Sequence, residues 1–293
     1  MRVRILGTAA GGGVPQWNCA CPGCAAARAH PSWRRRHASI AVEADGGWFV
    51  VNATPDIGEQ IEDTPELRPG PGPRDSPVAG VLLTDAELDH TLGLPRLREA
   101  DALRIIATAT VRGALEQGLR LDRVLGPYAG LEWTELPDGG ACPLGDGLEA
   151  RAVTVSGKRP RYAAGLDVPG GAWVAALRLT DRRTGRSLVY APCLAAWPAA
   201  LDGADCVIVD GTFWDDDEPR RSGFSAKTAT EMGHLPITGA NGTADRLAAL
   251  PAAMRLYTHL NNTNPLVDPG HDGHRALAER GIEIAPEGLV IEL

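Results

Sequence analysis

Short apolar runs of strand length, each closed by turn residues, recur along the whole chain and leave few architectures open. They begin at Arg2–Leu6 and continue through Ser39–Val42, Trp48–Asn52, Val78–Thr84, Arg104–Ala107, Ala152–Val155, Trp173–Leu179, Ser187–Ala191, Cys206–Asp210, Met254–His259 and Gly288–Ile291. Their periodicity and bounding turns read as buried strands. Helical patterns intervene at Asp56–Glu62, His90–Ala100, Thr110–Gly118, Thr243–Leu250 and His274–Arg280. Hairpin signals at Asp45-Gly46-Gly47 and Thr184-Gly185 join some neighbouring runs. Hairpins and crossovers together call for α/β architecture with two mixed sheets, packed as a sandwich and flanked by helices. Arg68–Pro77, rich in Pro and Gly, reads as a surface loop because the same alternation resumes beyond it. A single domain over 1–293 is expected.

At 293 residues and 44% hydrophobic content, such a chain buries a sizeable core without staples. The net charge is −8, and the one basic run, Arg34-Arg35-Arg36, reads as a solvated turn after Pro31. Both argue against nucleic acid as a partner. No apolar run approaches the roughly 18 residues of a membrane span. The N-terminus lacks an apolar stretch of secretory length, so a cytoplasmic protein with no membrane attachment is expected. Oligomeric state is not legible. Cys142, Cys193 and Cys206 are scattered singly, the pattern of small buried hydrophobes in a reducing compartment.

Cys19-Ala20-Cys21-Pro22-Gly23-Cys24 is different: three thiols lie within six residues, with Pro-Gly read as a tight turn. C-x-C and C-x-x-C spacings let thiolates converge on one cation, and zinc suits them best. A redox pair or inert thiols are the alternatives. A closed structural site needs a fourth ligand from far along the chain, and the candidates are Asn262, His271 and His274.

Ionisable residues also crowd one strand end. After Val81-Leu82-Leu83-Thr84 come Asp85, Glu87, Asp89 and His90, at the position where α/β folds place ligand chemistry. Asp89 beside His90 reads as a metal-ligand pair, with Asp85 and Glu87 as supporting or helix-capping groups. A second apolar run, Arg255–His259, likewise ends in a histidine before the Asn-rich turn Leu260–Pro265. If the two ends converge, Asp89, His90 and His259 give two histidines and one carboxylate, a set suited to non-haem Fe(II) and O₂ chemistry. His234, between Gly233 and Pro236, is a candidate proton donor or substrate-orienting group; the plainer reading is a loop imidazole bonded to backbone.

The stretches LGTAAGGGVPQWNCACPGC, LLTDAELDHTLGL, VDGTFWDDDE, MGHLPI, HLNNTNP and GIEIAPEGLVIEL run from end to end of the chain. With them the chain resembles the pyrroloquinoline quinone (PQQ) biosynthesis protein B family, within the metallo-β-lactamase fold. The resemblance implies an αββα sandwich. Hydrolases of that fold carry His-x-His-x-Asp-His at the strand end and bind two metals. Here the motif reads Asp85-Ala86-Glu87-Leu88-Asp89-His90. The histidines of the first metal are replaced by Asp85 and Glu87, while Asp89, His90 and His259 of the second persist. The loops expected to give another histidine and a bridging aspartate read Val155–Lys158 and Tyr190–Cys193, without the ligand. The resemblance therefore implies one active-site ion, Fe(II), with zinc or another divalent ion able to substitute. It also implies a structural zinc at Cys19, Cys21 and Cys24. The implied activity is O₂-dependent hydroxylation of the tyrosine-derived ring of a small Glu–Tyr intermediate cut from a precursor peptide. Asp85, Glu87 or His234 would orient substrate or move protons. The alternatives are a metal-dependent hydrolase, with Asp85 and Glu87 rebuilding the first site, and a non-enzymatic carrier of the quinone. In a carrier, Lys158, Arg159 and Arg161 would meet its carboxylates. In phosphodiesterases of the fold a histidine stands where this chain has Asn262.

Overall fold

The computed structural model describes residues 1–44 and 46–293; Asp45, the first residue of the expected Asp45-Gly46-Gly47 turn, lies outside the described residues. Six strands open the chain: β1 (Arg2–Gly7), β2 (Ser39–Ala44), β3 (Gly47–Val51), β4 (Val78–Leu82), β5 (Ala102–Ala107) and β6 (Gly130–Glu135). Seven more follow: β7 (Ala141–Pro143), β8 (Leu148–Ser156), β9 (Val174–Asp181), β10 (Ser187–Ala191), β11 (Cys206–Asp210), β12 (Met254–Thr258) and β13 (Glu283–Ile284). The last strand, β14 (Val290–Glu292), returns to the first. Among the described residues they form two seven-stranded sheets, ordered β14-β1-β2-β3-β4-β5-β6 and β13-β12-β11-β10-β9-β8-β7. Each sheet is mixed, antiparallel through β1–β3 and β7–β10 and parallel through β3–β6 and β10–β13.

Alternation along the strands explains why the sheets face each other. Ile40 and Val42 of β2, Leu82 of β4 and Ile106 of β5 pack with Leu177, Leu188, Tyr190, Ile208 and Leu256 of the opposite sheet. The neighbours in sequence, Val81, Ile105, Val189, Val207 and Val209, point the other way, into a second core under the outer helices. Parallel strands buried on both faces read as continuous apolar runs, which is why Val81–Leu83 and Cys206–Val209 contain no polar residue.

The helices are α1 (Pro22–Ala29), α2 (Ile57–Glu62), α3 (Leu88–Thr91), α4 (Ala109–Gln117), α5 (Leu121–Leu125), α6 (Glu218–Arg221), α7 (Ala244–Ala249) and α8 (Asp272–Ala278). Three expectations need correction. The Pro22-Gly23 pair does not make a tight turn: Pro22 opens α1 at its first position, and the Cys21 sulfur accepts from the Cys24 N–H, as a proline at a helix start allows. The continuous helix expected over His90–Ala100 is instead α3 followed by a separate 3₁₀ turn, Leu94–Leu97. Pro95 cannot supply an N–H to the helix ladder. Gly93 is pressed so closely on the 53–54 backbone that an added Cβ would clash with the Thr54 carbonyl. Finally, the arginine triplet is more than a solvated turn. Arg35 pairs through its backbone with Val14 and donates to Thr8 Oγ1 at 2.9 Å, and Arg36 pairs with Asp63. No helix is long and apolar enough to cross a membrane among the described residues.

Candidate metal centres

The C-terminal ends of β4, β10, β11 and β12 come together at one edge of the sandwich. Parallel pairing of β11 with β12 sets Asp210 beside Thr258, so that His259 follows at the same level. Beyond β4, the Thr84 carbonyl accepts from Ala175 N–H at 2.8 Å, tying this strand end to the opposite sheet.

Asp89, His90 and His259 meet there. Asp89 Oδ2 lies 3.6 Å from His90 Nε2 and 3.5 Å from His259 Nε2. The two imidazoles are edge-on, with ring centres 5.4 Å apart. His259 has a left-handed backbone, φ 61°. A β-region histidine would continue the strand; the left-handed one costs roughly 1 kcal/mol and re-aims the ring.

The other nitrogen of each ring is fixed from behind. His90 Nδ1 is 2.7 Å from Asp85 Oδ2, which also accepts from Thr84 Oγ1 at 2.7 Å, while Asp85 Oδ1 accepts from Glu87 N–H at 2.9 Å. His259 Nδ1 is 2.7 Å from Thr212 Oγ1, whose hydrogen goes to Asp210 Oδ1 at 2.6 Å. A carboxylate only accepts, so in the neutral rings the proton sits on Nδ1 and the Nε2 lone pair faces Asp89. This is the arrangement that outer groups give to metal-ligating histidines.

Without an ion, the surrounding carboxylates favour the protonated His90 ring, and a bound cation would take the place of its Nε2 proton. Burial alone would lower His90, but Asp85 and Asp89 outweigh it and raise it to about 9. Burial opposes the charge on Asp89 too, yet His90 and His259 hold it well below the usual carboxylate range. Asp85 is also lowered, burial being overcome by His90, whereas His259 is lowered chiefly by burial. Two ionised carboxylates around His90 call for positive charge. His90 Nε2 is fully buried and has no hydrogen-bond partner among the described residues. A cation supplies both, so the residues fit the expected ion.

His234 stands behind His259, the rings stacked with centres 5.7 Å apart. Its Nδ1 lies 2.7 Å from Asp210 Oδ2 and 3.1 Å from Thr212 Oγ1. Glu87 is half-buried, and burial raises its carboxyl. Three residues that meet at the site were not among the site residues expected from sequence. Asp210 and Thr212 form the hub that orients His234 and His259. Cys193, read as a buried hydrophobe, is half-buried with its sulfur 3.9 Å from His259 Nε2. Asp210 had a signal: it ends an apolar run just as His259 ends its own. Thr212 had none, and Cys193 ends Tyr190–Cys193, the stretch in which the resemblance implied an aspartate that this chain lacks.

The second centre lies at the start of the chain. The Cys19, Cys21 and Cys24 sulfurs are all within 4.8 Å of one another. Burial raises Cys21, but the Cys24 N–H and the Asn262 amide outweigh it and lower the thiol, while burial pushes Cys24 up to about 11. Asn262 Nδ2 is 3.2 Å from Cys19 Sγ and 3.4 Å from Cys21 Sγ. The other two candidates are engaged elsewhere. His271 Nδ1 accepts from Gly273 N–H at 3.1 Å and caps α8; His274 Nε2 is 3.1 Å from the carbonyls of Leu266 and Asp268. Three convergent sulfurs form a soft donor set that fits zinc.

Comparison with known proteins points one way. A family model described as "Beta-lactamase superfamily domain" matches residues 47–260. The chain is 43% identical to coenzyme PQQ synthesis protein B of Cupriavidus necator, covering 99% of both chains, and 42% identical to that of an Azoarcus species, covering 100% of both. Its structure is similar to the crystal structure of zinc-bound PqqB from Methylobacterium extorquens, with TM-score 0.89, 34% identity and full coverage of both chains. A diphosphatase of the PhnP family, at 19% identity and TM-score 0.69, shares the fold.

Proposed function

The chain belongs to the coenzyme PQQ synthesis protein B family of the β-lactamase superfamily, and on that premise we propose that it is a mononuclear, iron-dependent hydroxylase. Its substrate is the tyrosine-derived ring of a small Glu–Tyr intermediate cut from a precursor peptide, and O₂ is the co-substrate. One observation carries this reading. Asp89 Oδ2 is within 3.6 Å of both Nε2 atoms, while Asp85, at a position where a two-metal enzyme needs a ligand, is committed to His90 Nδ1. One carboxylate and two imidazoles hold one ion and leave positions open. Iron(II) held there supplies the activation of O₂.

This chain's residues do the rest. Asp85 and Thr212 hold Nδ1 of His90 and of His259 and so aim both Nε2 atoms into the cleft. His234, with Nδ1 on Asp210, holds or passes a proton at Nε2. Lys158 lies close enough to Glu87 to act on its carboxyl, and the two groups of opposite sign would meet the amino and carboxylate ends of a substrate. All six cysteines are free, in keeping with action in a reducing cytoplasm.

Protein loaded anaerobically with Fe(II) is expected to hold about one iron beyond the structural zinc. It should consume O₂ only with a Glu–Tyr-type substrate, whose ring gains oxygen. His259→Ala should lose both iron and O₂ uptake, and retention of both refutes the reading. Two ions in the cleft support a hydrolase instead.

A further inference from the structure

Cys193 sits just past β10, at the strand ends that carry the cleft. Its sulfur and Asp89 Oδ2 approach the same atom, His259 Nε2, at 3.9 and 3.5 Å. His90, Cys193 and His259 each offer a donor atom within 4.8 Å of the others. Donors about 2.0–2.3 Å from a common ion stand some 3–4 Å apart, so these spacings suit one coordination sphere. The thiol is also held in place. The Leu194 N–H donates to Asp210 Oδ2 at 2.8 Å, and the Leu194 carbonyl accepts from Leu235 N–H at 2.7 Å. Thus Asp210, which orients His234 and His259, fixes the backbone next to Cys193 as well. Independently, the fully buried His90 Nε2 has no hydrogen-bond partner among the described residues and faces the same cluster.

We propose that Cys193 is a thiolate ligand of the cleft ion, completing with Asp89, His90 and His259 a four-residue set. The inference rests on the cleft being a cation site. As the sulfur–metal bond forms, the thiol proton leaves to solvent. The sulfur also makes the site softer than the two-histidine, one-carboxylate set alone, favouring Co(II), Fe(II) and Zn(II) over Mg(II).

The test uses full-length protein with zinc retained at Cys19, Cys21 and Cys24 and Co(II) added to the cleft. Wild type should show a near-ultraviolet sulfur-to-cobalt charge-transfer band, absent from Cys193→Ser and Cys193→Ala. Bands from the cysteine loop cancel in the difference spectrum. Cobalt affinity of both variants should fall by about tenfold or more, with thermal melts confirming that they fold; Ser and Ala together guard against one variant misfolding. Bound cobalt with identical spectra in all three proteins overturns the thiolate ligand and leaves the one-ion cleft standing. No cobalt in the wild-type cleft overturns both.

Discussion

Replacing Asp85 by Asn changes one oxygen to an NH₂ and removes one charge, yet it should weaken the cleft ion strongly. The carboxylate accepts three hydrogen bonds, from His90 Nδ1 and Thr84 Oγ1 on one oxygen and from Glu87 N–H on the other. An amide cannot satisfy this set. With its oxygen toward His90, its NH₂ confronts the Glu87 N–H. With its NH₂ toward His90, the ring must move its proton to Nε2, which removes the lone pair that faces Asp89. Leaving one buried donor unpaired costs about 1–3 kcal/mol, and loss of such an outer partner weakens metal binding by roughly 10–100-fold, or about 1.4–2.7 kcal/mol. Competition against a fluorescent chelator under anaerobic conditions reads this directly, with a denaturant titration confirming the fold. Affinity within twofold of wild type in a folded Asp85→Asn protein would refute the claim that the Asp85 charge and its full set of accepted hydrogen bonds hold His90 for the ion.

Glu218 accepts from Trp214 N–H and Thr263 Oγ1, both at 2.6 Å, and burial raises it to about 7. The folded state thus binds this proton more tightly than the unfolded chain. Its contribution is fully present below about pH 4.3 and is lost as pH rises through about 7, roughly 3 kcal/mol in all. Glu218→Gln should flatten that part of the stability curve, as melts between pH 4.5 and 8 will read; an unchanged slope counts against it. Asn262→Ala should loosen zinc at the cysteine loop, whereas His271→Ala should leave zinc content unchanged while costing about 1 kcal/mol for the lost α8 cap. Metal analysis after mild chelation separates the two. Gly93→Ala drives a Cβ into backbone 2.1 Å away and should cost at least about 2 kcal/mol, measured by urea unfolding. A neutral result would mean that the segment yields more easily than its packing implies.

Strands buried on both faces were the most legible part of the chain. Ser187–Ala191 and Cys206–Asp210 coincide with β10 and β11 to the residue. The unread strands carry weak patterns: β6 is half-exposed at a sheet edge, β7 is three residues ending in proline, and β13 is two residues. Their existence depends on the neighbour they pair with, which no local pattern announces. The same division holds in the cleft. Asp89, His90 and His259 stood out because ionisable groups at the ends of apolar runs are anomalous. Thr212 did not, because a threonine is ordinary until the fold sets it beside an imidazole. Cys193 did not either, because the expected group in its stretch was a carboxylate and a lone thiol reads as a buried hydrophobe. Among the three proposed fourth ligands, spacing could not discriminate; the chain path brings Asn262 to the sulfurs and leaves His271 and His274 capping and bracing α8.

His259 and Asn262 sit on one turn, the first reaching the cleft and the second the cysteine loop. The glycine-rich segment closes the circuit, since Ala10 and Thr8 bond to Leu260 and Gly11 packs on Asp89. Whatever free energy this shared turn transmits is reciprocal by linkage. If zinc in the loop steadies His259, an ion in the cleft must tighten the hold on zinc by the same factor. The two centres then titrate as one coupled system, and each reports on the other's occupancy.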